Sequence, residues 1–390
     1  MKLCIVGQGT GGNASIWFDY FNSTQNKSNP VDVTFICRTV KTLEAKFKII
    51  APYGNGKIPS FIYKLYAPFI SRIGMKLMIK ILKVFNKYNA LILQGNYSPA
   101  LNLMIMKEFN CHTIVNIYGS DFYRNYLLDG FSSKEKINFV RVLKLADSIV
   151  FNWDTTYKDF VNEFPELIDK CSVKAWGVSE SWLAASVQSK SQVEDSLEKL
   201  SWPRAEKVFL SARALYDYNN IDIVVESFCR AFEKNKNYKL YIVNGYGNHL
   251  PTVDKVNAII KKYDAQEFVI TKIGKWISDE ELQYLYQRAD YNLCFGSSDQ
   301  LTVSIIYSFL SKANNILSPL ENYKSLITKG YKTPIICQEI SIESLTNQLK
   351  NLPRSSETDE NRLNDHNMAS IEFDMSTTFQ HYLDQIKGNT

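Results

Sequence analysis

Residues 207–247 read KVFLSARALYDYNNIDIVVESFCRAFEKNKNYKLYIVNGYG, an order that indicates a strand, a helix and a second strand. The apolar run 207–212 ends at Arg213. Ile221, Val224 and Phe228 then repeat at the spacing of one helix face. A second apolar run, 238–244, leads into Gly245 and Gly247. This strand–helix–strand order is typical of a parallel sheet covered by helices.

The first residues of the chain begin a second unit of the same kind. An apolar run at 2–6 leads directly into the glycine-rich loop Gly7-Gln8-Gly9-Thr10-Gly11-Gly12. A chain built of two such halves has an α/β fold with two Rossmann-like domains facing a cleft.

Apolar runs and helical patterns alternate through most of the chain, which predicts twelve elements in the first half and the tail and twelve in the second half. In the first half we predict strands at 2–6, 32–37, 90–94, 112–117, 147–151 and 172–176, and helices at 12–22, 69–88, 98–109, 133–146 and 154–163. In the second half we predict strands at 207–212, 238–244, 267–271, 289–295, 313–317 and 333–336, and helices at 220–234, 252–263, 278–288, 303–312, 321–329 and 341–350.

The domain boundaries follow from polar stretches. We predict an N-terminal domain at 1–184, a Ser-rich linker at 185–206, a C-terminal domain at 207–352 and a polar tail at 353–390. Residues 370–387 of the tail have a helical pattern, and we expect this helix to dock on the N-terminal domain.

Composition excludes several classes of protein. With 390 residues, 45% hydrophobic and 22% charged, the chain is an ordinary globular protein of about two domains. Seven scattered cysteines without a Cys-x-x-Cys pair favour reduced thiols, and four dispersed histidines argue against a metal site. We see no signal peptide and no apolar run long enough to span a bilayer, so we expect a cytoplasmic protein.

The net charge of +5 is unevenly distributed. Residues 45–107 contain ten basic residues and no Asp or Glu. Within this segment a 4, 4, 3, 4 spacing places one basic stripe on a helix, formed by Arg72, Lys76, Lys80, Lys83 and Lys87. Such a helix suits an anionic membrane surface, and it equally suits a core helix with one solvated face. No nucleic-acid-binding module is recognisable, so we expect no nucleic-acid partner.

The glycine loop permits two interpretations. Gly7-x-Gly9-x-x-Gly12 follows a strand, which is the arrangement of a dinucleotide-binding loop, although a plain tight turn has the same sequence. The next strand ends in Arg38, where an NAD site requires an acidic residue. NAD is therefore disfavoured, and an NADP-dependent oxidoreductase remains an alternative.

Three further groups lie where strands are predicted to end. Arg213 is placed to grip a diphosphate through paired hydrogen bonds, and Asp299 precedes a helix whose first N–H groups favour an anion. Asp121, in Tyr118-Gly119-Ser120-Asp121, is placed to orient a hydroxyl or act as a base. For each group the simpler alternative is a surface residue or a helix cap.

With these motifs in order, the chain resembles the retaining, family-4-like glycosyltransferases of the GT-B fold. The segment from Leu210 to Phe228 resembles the family's "strand, Arg, Lys-Gly-Ile-Asp, Glu-Ala-Phe" run, and the turn at Gly245 and Gly247 resembles its "Val-Gly-x-Gly". Residues 297–308 resemble the donor-binding "Pro-Ser-x-x-Glu-Gly" region, and 119–121 resemble the end of "His-Gly-Ser-Asp".

The resemblance implies sugar transfer from a UDP- or GDP-linked donor, without a catalytic metal or other cofactor, to a glycan or lipid-linked acceptor. It implies catalytic roles for Asp121 and Asp299, and an acceptor side formed by Gly9, Gly11, Gly12 and Tyr118. The implied donor-binding residues are Arg213, Tyr218, Gly245, Gly247, Ile273, Gly274, Leu301, Thr302, Val303 and Tyr307.

The chain departs from the family pattern at two donor positions. Tyr218 stands where the family has a Lys that binds the diphosphate, and Tyr307 stands where it has the second carboxylate of a Glu-x7-Glu pair. We therefore expect a glycosyltransferase of surface-polysaccharide synthesis at the inner face of the membrane. The alternative is a non-catalytic GT-B subunit that serves another transferase.

Overall fold

The computed structural model describes residues 1–7, 13–24, 31–37, 48–50, 87–128, 130–184, 188–233, 235–244, 249–275, 277–352 and 358–388. By internal contacts the chain divides into two units. The first unit is Met1–Glu180 together with Asp374–Thr390, and the second unit is Ser181–Phe373.

The described strands alternate with the helices along the chain. They are β1 (Lys2–Val6), β2 (Asp32–Ile36), β3 (Lys48–Ile50), β4 (Ala90–Gln94), β5 (His112–Ile117), β6 (Ser148–Phe151), β7 (Cys171–Val173), β8 (Lys207–Ser211), β9 (Tyr238–Asn244), β10 (Val269–Ile273), β11 (Tyr291–Cys294), β12 (Asn314–Leu317) and β13 (Pro334–Ile336).

The described α-helices have the following bounds. They are α1 (Asn13–Thr24), α2 (Pro99–Phe109), α3 (Ser133–Leu145), α4 (Asp154–Glu163), α5 (Glu180–Leu183), α6 (Lys190–Lys199), α7 (Ile221–Phe232), α8 (Leu250–Lys262), α9 (Asp279–Arg288), α10 (Val303–Leu310), α11 (Glu321–Thr328), α12 (Ile342–Lys350), α13 (Thr358–Glu372) and α14 (Met375–Gly388). A π-helical segment covers Ser120–Leu127, and short 3-10 helices cover Pro165–Lys170 and Asp217–Asn219.

Each unit contains one parallel sheet with the strand order of a Rossmann fold. In the first unit the order is β3-β2-β1-β4-β5-β6-β7, and in the second it is β10-β9-β8-β11-β12-β13. Every described strand pair is parallel. The order reverses between β1 and β4 in the first unit and between β8 and β11 in the second. In open α/β sheets such a reversal opens a crevice at the carboxyl ends of the strands.

The central strands are buried on both faces, which explains their continuous apolar sequences. Leu91, Ile92 and Leu93 of β4 have no exposed surface, and Val208, Phe209 and Leu210 of β8 have none either. The helices cover the sheets with one apolar face each. In α7, for example, Val224, Val225 and Phe228 are fully buried. The predicted α/β fold with two Rossmann-like sheets is confirmed.

The C-terminal segment contributes to both units. Helix α13 lies in the second unit, where the buried carboxylate of Asp365 accepts hydrogen bonds from the amides of Lys332 (2.8 Å) and Thr333 (2.7 Å). Helix α14 lies in the first unit, where the Tyr382 ring packs edge-on against Trp17 at 4.8 Å between centroids. The Tyr382 hydroxyl donates a 2.5 Å hydrogen bond to the side-chain carbonyl of Asn116 on β5.

The helices α6 and α13 and the short strand β3 lie in segments for which the sequence predicted no such element. Helix α6 occupies part of the predicted linker, and it begins at a reciprocal capping box between Ser189 and Gln192. A Ser three residues before a Gln is a recognisable helix start. Helix α13 is mostly polar, so its sequence shows only a weak hydrophobic periodicity. Its packing against α10 is visible only in the structure.

Among the described helices, none is both long enough and apolar enough to cross a membrane. Most of the predicted helix at 69–88 lies outside the described residues, and Lys87 and Tyr88, which are described, are not helical.

Candidate functional site

A cluster of polar side chains lies at the strand-order reversal of the second unit. Arg213 follows β8, and Asp299 lies in the loop between β11 and α10. Because β8 and β11 are neighbouring parallel strands, their carboxyl ends bring these loops together. The sequence placed both residues at strand ends, and the tertiary structure places them in contact.

The Arg213 guanidinium has three side-chain partners in this cluster. Its Nη2 lies 2.5 Å from Asp299 Oδ2 and 3.1 Å from Asn219 Oδ1. Its Nη1 donates to the hydroxyl of Thr302, the residue that precedes α10. The Arg213 and Asp299 side chains are only 15% and 14% exposed. The guanidinium is therefore held rigidly beside the first turn of α10.

Besides Arg213, two side chains of α11 hold Asp299 in place. The Tyr323 hydroxyl of α11 donates a 2.8 Å hydrogen bond to Asp299 Oδ2, and the Asn322 side-chain amide donates to the Asp299 carbonyl. Burial raises the pKa of the Asp299 carboxyl, while the Arg213 charge and the Tyr323 hydrogen bond oppose that rise. The arrangement keeps a cation and an anion together in a poorly solvated loop.

The start of α10 is anchored to the sheet beneath it. Thr302 caps the helix, and its hydroxyl accepts a 3.5 Å hydrogen bond from the Ser304 amide. The Ser304 hydroxyl lies 2.7 Å from the Tyr286 hydroxyl, and the Asn292 side-chain amide donates to the Ser304 carbonyl at 3.3 Å. Leu301, Thr302 and Val303 thus lie at a helix N-terminus, where the macrodipole favours a negative group.

The two positions that depart from the family pattern are both occupied by stacked rings. Tyr218 stacks on Tyr216, with centroids 5.4 Å apart and planes 14° from parallel. Tyr307 stacks on Trp182, with centroids 3.6 Å apart and planes 6° from parallel. Tyr286 packs edge-on against both rings of the second pair. An aromatic contact therefore replaces a carboxylate at position 307.

Ile273 and Gly274 lie farther along the same edge of the sheet. Ile273 ends β10, and the Gly274 amide donates a 2.7 Å hydrogen bond to the Asn244 carbonyl at the end of β9. Gly274 has a φ of +70°, a conformation that favours glycine. Gly245 and Gly247 lie outside the described residues.

In the first unit Asp121 joins two loops at the carboxyl edge of the sheet. Its Oδ2 accepts from the Asn96 amide at 2.8 Å, and its Oδ1 accepts from the Tyr118 amide at 2.9 Å. The residue has no exposed surface. Burial raises the pKa of the Asp121 carboxyl to about 6, although the backbone amides oppose that rise. The Asp121 carboxylate therefore joins two loops through their backbone amides. A catalytic role for Asp121 stays a prediction.

Tyr118 lies beside Asp121 and is also largely buried. Its hydroxyl donates to Gln94 Oε1, and its ring packs against Trp176 at 4.1 Å between centroids. The other predicted acceptor-side residues, Gly9, Gly11 and Gly12, lie outside the described residues, as does Arg38. Of the predicted basic stripe only Lys87 is described, and its side chain is exposed.

Sequence reasoning missed three residues that complete the second-unit cluster. Asn219 and Tyr323 contact Arg213 and Asp299 directly, and Trp182 covers Tyr307. Tyr323 is 24 residues from Asp299, and Trp182 is much farther from Tyr307 in sequence. No local pattern links such distant positions, although Asn219 lies in the segment already singled out.

The described residues contain no group of three or more His, Cys, Asp or Glu side chains that could hold a metal ion. The positive charge of the cluster comes from Arg213 and from the N-terminus of α10.

The sequence matches no protein-family model and no curated protein. Solved structures nevertheless share its fold along the whole chain. HepE from Anabaena, in complex with UDP and glucose, superposes with a TM-score of 0.76 at 12% identity, over 100% of both chains. A glycosyltransferase from Rickettsia africae gives 0.72 at 14% identity, over 100% of this chain and 99% of that one.

A third structure is WaaG, a glycosyltransferase involved in lipopolysaccharide biosynthesis. It superposes with a TM-score of 0.70 at 13% identity, over 99% of this chain and 100% of that chain. The two parallel sheets, their helices and these full-length superpositions define the class: the chain has the GT-B fold of glycosyltransferases.

Proposed function

We propose that this protein is a glycosyltransferase that moves a hexose from a nucleotide-sugar donor to a glycan or lipid-linked acceptor in surface-polysaccharide synthesis. The observation that supports it best is the cluster of Arg213, Asp299 and the α10 N-terminus at the strand-order reversal of a GT-B unit. HepE, WaaG and the galactosyltransferase WaaB have the same fold, and HepE was solved with UDP-glucose.

In this proposal the donor diphosphate binds at Arg213 and at the amides of Leu301, Thr302 and Val303. A guanidinium binds phosphate oxygens through paired hydrogen bonds, and a helix N-terminus adds partial positive charge. These groups supply the positive charge that a metal supplies in other transferases, so the reaction is metal-independent. Asp299, already in contact with Arg213, is then placed at the sugar side of the diphosphate.

The remaining predicted donor residues surround the nucleoside. Ile273 and Gly274 lie at the end of β10 at the same edge of the sheet, and Gly245 and Gly247 follow β9 in the sequence; we assign all four to the base and ribose. Tyr307 provides an aromatic surface where a ribose carboxylate is absent. The UDP complexes of HepE favour a uridine donor over a guanosine donor.

The chemistry requires one bond to form and one to break. The bond between the anomeric carbon and the donor phosphate oxygen breaks, and an acceptor hydroxyl oxygen bonds to that carbon. The hydroxyl proton leaves with the nucleoside diphosphate, so no redox partner is needed. The resemblance to the family-4-like group favours retention of configuration. The acceptor binds the first unit, which contains Tyr118 and Asp121.

Arg213→Ala tests the donor site. We expect loss of UDP-glucose or GDP-mannose binding by at least about tenfold, because a charge-assisted phosphate contact contributes on the order of 1.5–3 kcal/mol. Isothermal titration calorimetry against a panel of UDP, GDP and CMP sugars measures the donor affinity of the wild type and the variant. Circular dichroism and melting curves check that the variant is folded, since the loss of Arg213 removes the cation that opposes the rise in the pKa of the buried Asp299 carboxyl.

The matched control is Arg204→Ala, which removes an exposed guanidinium of the same unit that pairs with Asp195 and Glu198. Nucleotide-sugar binding should be unchanged in this control. Undiminished donor binding by Arg213→Ala would contradict the proposed donor site.

We further propose that the protein is cytoplasmic and docks peripherally at the inner face of the membrane through the basic stripe. Lys76→Glu, Lys80→Glu and Lys83→Glu together should release the protein from anionic vesicles, since each basic residue near such a surface contributes about 1 kcal/mol. Vesicle co-sedimentation at low salt measures the binding. The control Lys255→Glu, Lys261→Glu and Lys350→Glu makes the same charge change at exposed positions of the second unit. Failure of the wild-type protein to co-sediment with these vesicles at low salt would contradict the proposed membrane docking.

A second candidate function is a non-catalytic GT-B subunit of another transferase. The stacking of Tyr307 on Trp182, in place of a ribose carboxylate, favours it. A stable complex with a transferase, together with no binding to any nucleotide sugar, would establish this alternative.

A further inference from the structure

The face of the second-unit sheet that α10 covers contains two buried asparagines. Asn292 of β11 and Asn315 of β12 lie side by side in register, and neither has exposed surface. The Asn292 side-chain amide donates a 2.8 Å hydrogen bond to the side-chain oxygen of Asn315. Buried amides are costly unless they are hydrogen-bonded, so their remaining partners show what this polar patch holds in place.

Two serines of α10, Ser304 and Ser308, are those partners. They are four residues apart, which places them on one face of the helix. The Asn292 amide donates to the Ser304 carbonyl at 3.3 Å, and the Ser304 hydroxyl donates to Asn292 Oδ1 at 3.3 Å. The Ser308 hydroxyl donates to Asn315 Oδ1 at 2.5 Å. Because a slide of α10 by one residue, about 1.5 Å along its axis, would turn both serines away from the asparagines, the network fixes the axial position of the helix.

Tyr286 of α9 holds the same helix from another side. Its hydroxyl lies 2.7 Å from the Ser304 hydroxyl in the first turn of α10. Its ring packs edge-on against Tyr307 in the second turn at 5.7 Å between centroids, and against Trp182 at 5.8 Å. The residue is only 1% exposed. Tyr286 is therefore anchored to both turns of α10, and Ser304 is the point at which its contacts meet those of Asn292.

The position of α10 determines where its first N–H groups lie relative to Arg213. Ser304 is two residues from Thr302, whose hydroxyl accepts a hydrogen bond from the Arg213 guanidinium. A diphosphate that contacts both the guanidinium and the helix start needs them at a fixed separation. Hydrogen bonds weaken steeply when their geometry changes, and a binding site has to be held to within about 0.5 Å. Fixing α10 is therefore one way to set the affinity for such an anion.

We propose that Tyr286 and Asn292 are positioning residues for the donor diphosphate. They act through Ser304 and hold the start of α10 at the separation from Arg213 that the diphosphate requires. This inference rests on the proposed function and deepens it, because donor affinity then depends on side chains of α9 and β11 that lie behind the binding groups.

The test removes the contacts of the Ser304 hydroxyl in two steps. Tyr286→Phe keeps the ring that packs on Tyr307 and deletes only the hydroxyl. Tyr286→Phe combined with Ser304→Ala deletes both partners of that hydrogen bond, together with the contact of the serine hydroxyl with Asn292. Tyr241→Phe is the control, since it deletes another buried tyrosine hydroxyl of the second unit, one that donates to the carbonyl of Pro203 on a different part of the sheet.

Isothermal titration calorimetry on the full-length protein measures the binding of UDP-glucose and of inorganic pyrophosphate. We expect both ligands to bind about threefold to tenfold more weakly to Tyr286→Phe, the effect of one neutral hydrogen bond, and more weakly still to the double variant. Tyr241→Phe should bind both as the wild type does. Melting curves compare the stabilities of the two Tyr→Phe variants, and hydrogen exchange at residues 301–305 should accelerate only when the Tyr286 hydroxyl is absent.

Several outcomes overturn the positioning role. One is unchanged affinity in both Tyr286 variants, and another is an equal loss of affinity in Tyr241→Phe, which would indicate a general loss of stability. A third is a wild-type protein that does not bind pyrophosphate. Because pyrophosphate contains neither a nucleoside nor a sugar, the two proposals fail separately. Pyrophosphate binding that depends on Tyr286, without binding of any nucleotide sugar, would support the positioning role and contradict the proposed function.

Discussion

Arg213 illustrates how a single buried cation is stabilised by its neighbours. Its guanidinium is already paired with Asp299 at 2.5 Å, in a loop where both side chains are about six-sevenths buried. An isolated buried cation is costly, and a carboxylate partner offsets that cost while the donor is absent. In the proposed donor complex, phosphate oxygens would replace or share this partner, so Asp299 would influence donor affinity as well as donor position.

Asp121 differs from Asp299 because its hydrogen-bond partners are backbone amides, and no cation contacts its carboxylate in the described residues. Burial raises its pKa to about 6, above the value of about 3.9 in an unfolded chain. The folded state therefore binds the proton more tightly between these two values. The contribution of Asp121 to stability is full below about pH 4 and is lost as the pH rises through about 6.

The prediction is a pH-dependent difference between the wild type and Asp121→Asn. The free energy of unfolding of the wild type, relative to the variant, should fall by about 2–3 kcal/mol as the pH rises from about 4 to above 6. Urea denaturation of both proteins across this range measures it. A difference that does not change with pH would show that Asp121 titrates normally.

At the scale of elements, helix α14 begins at a close crossing of two chain segments. Val178 forms a parallel bridge with Asp374, and Gly177 lies directly against the first residue of α14. A Cβ at position 177 would lie 2.2 Å from the Met375 Cα and 2.3 Å from its amide nitrogen. Only glycine fits, because the opposing atoms belong to the backbone and have no rotamer to change.

Gly177→Ala should therefore destabilise the first unit by about 1–3 kcal/mol or more, the usual cost of overpacking. Thermal unfolding followed by circular dichroism measures the effect. Gly388→Ala, at the far end of the same helix, is the control, since no atom lies within 4 Å of its added Cβ. Equal melting temperatures for the two variants would mean that the Gly177 and Met375 backbones can move apart at little cost in stability.

At the scale of the whole molecule, a segment distant in sequence completes the first unit. Helix α14 buries Phe379, Tyr382 and Leu383 against a core whose strands come from the other end of the chain. Phe379 packs edge-on against Trp17 and Phe21. Each such buried side chain contributes about 1.5–3 kcal/mol, so the helix supplies much of the stability of the unit.

Deletion of Asp374–Thr390 should consequently reduce amide protection in β1 and β4 and leave that of β8 and β9 largely unchanged. Hydrogen exchange followed by mass spectrometry resolves these strands. Truncation after Gly388 is the control and should change neither sheet. Full protection of β1 and β4 without α14 would contradict the assignment of the helix to the core of the first unit.

The sequence alone determined the sheets, because a strand buried on both faces is a continuous apolar run and a covering helix has one apolar face. Most strand positions were predicted to within a few residues, and Arg213 and Asp299 were placed at strand ends. Helix α6 was missed although its capping box is visible in the sequence, and α13 was missed because its polar surface hides its periodicity.

Only the tertiary structure decided which side chains meet. The partners of Asp299 come from the loop after β8 and from α11, and Trp182 reaches Tyr307 across more than a hundred residues of sequence. Such contacts depend on the order of strands in the sheet, which is set by packing over the whole unit. A periodic pattern records which face of an element is buried, and it carries no information about which distant element covers that face.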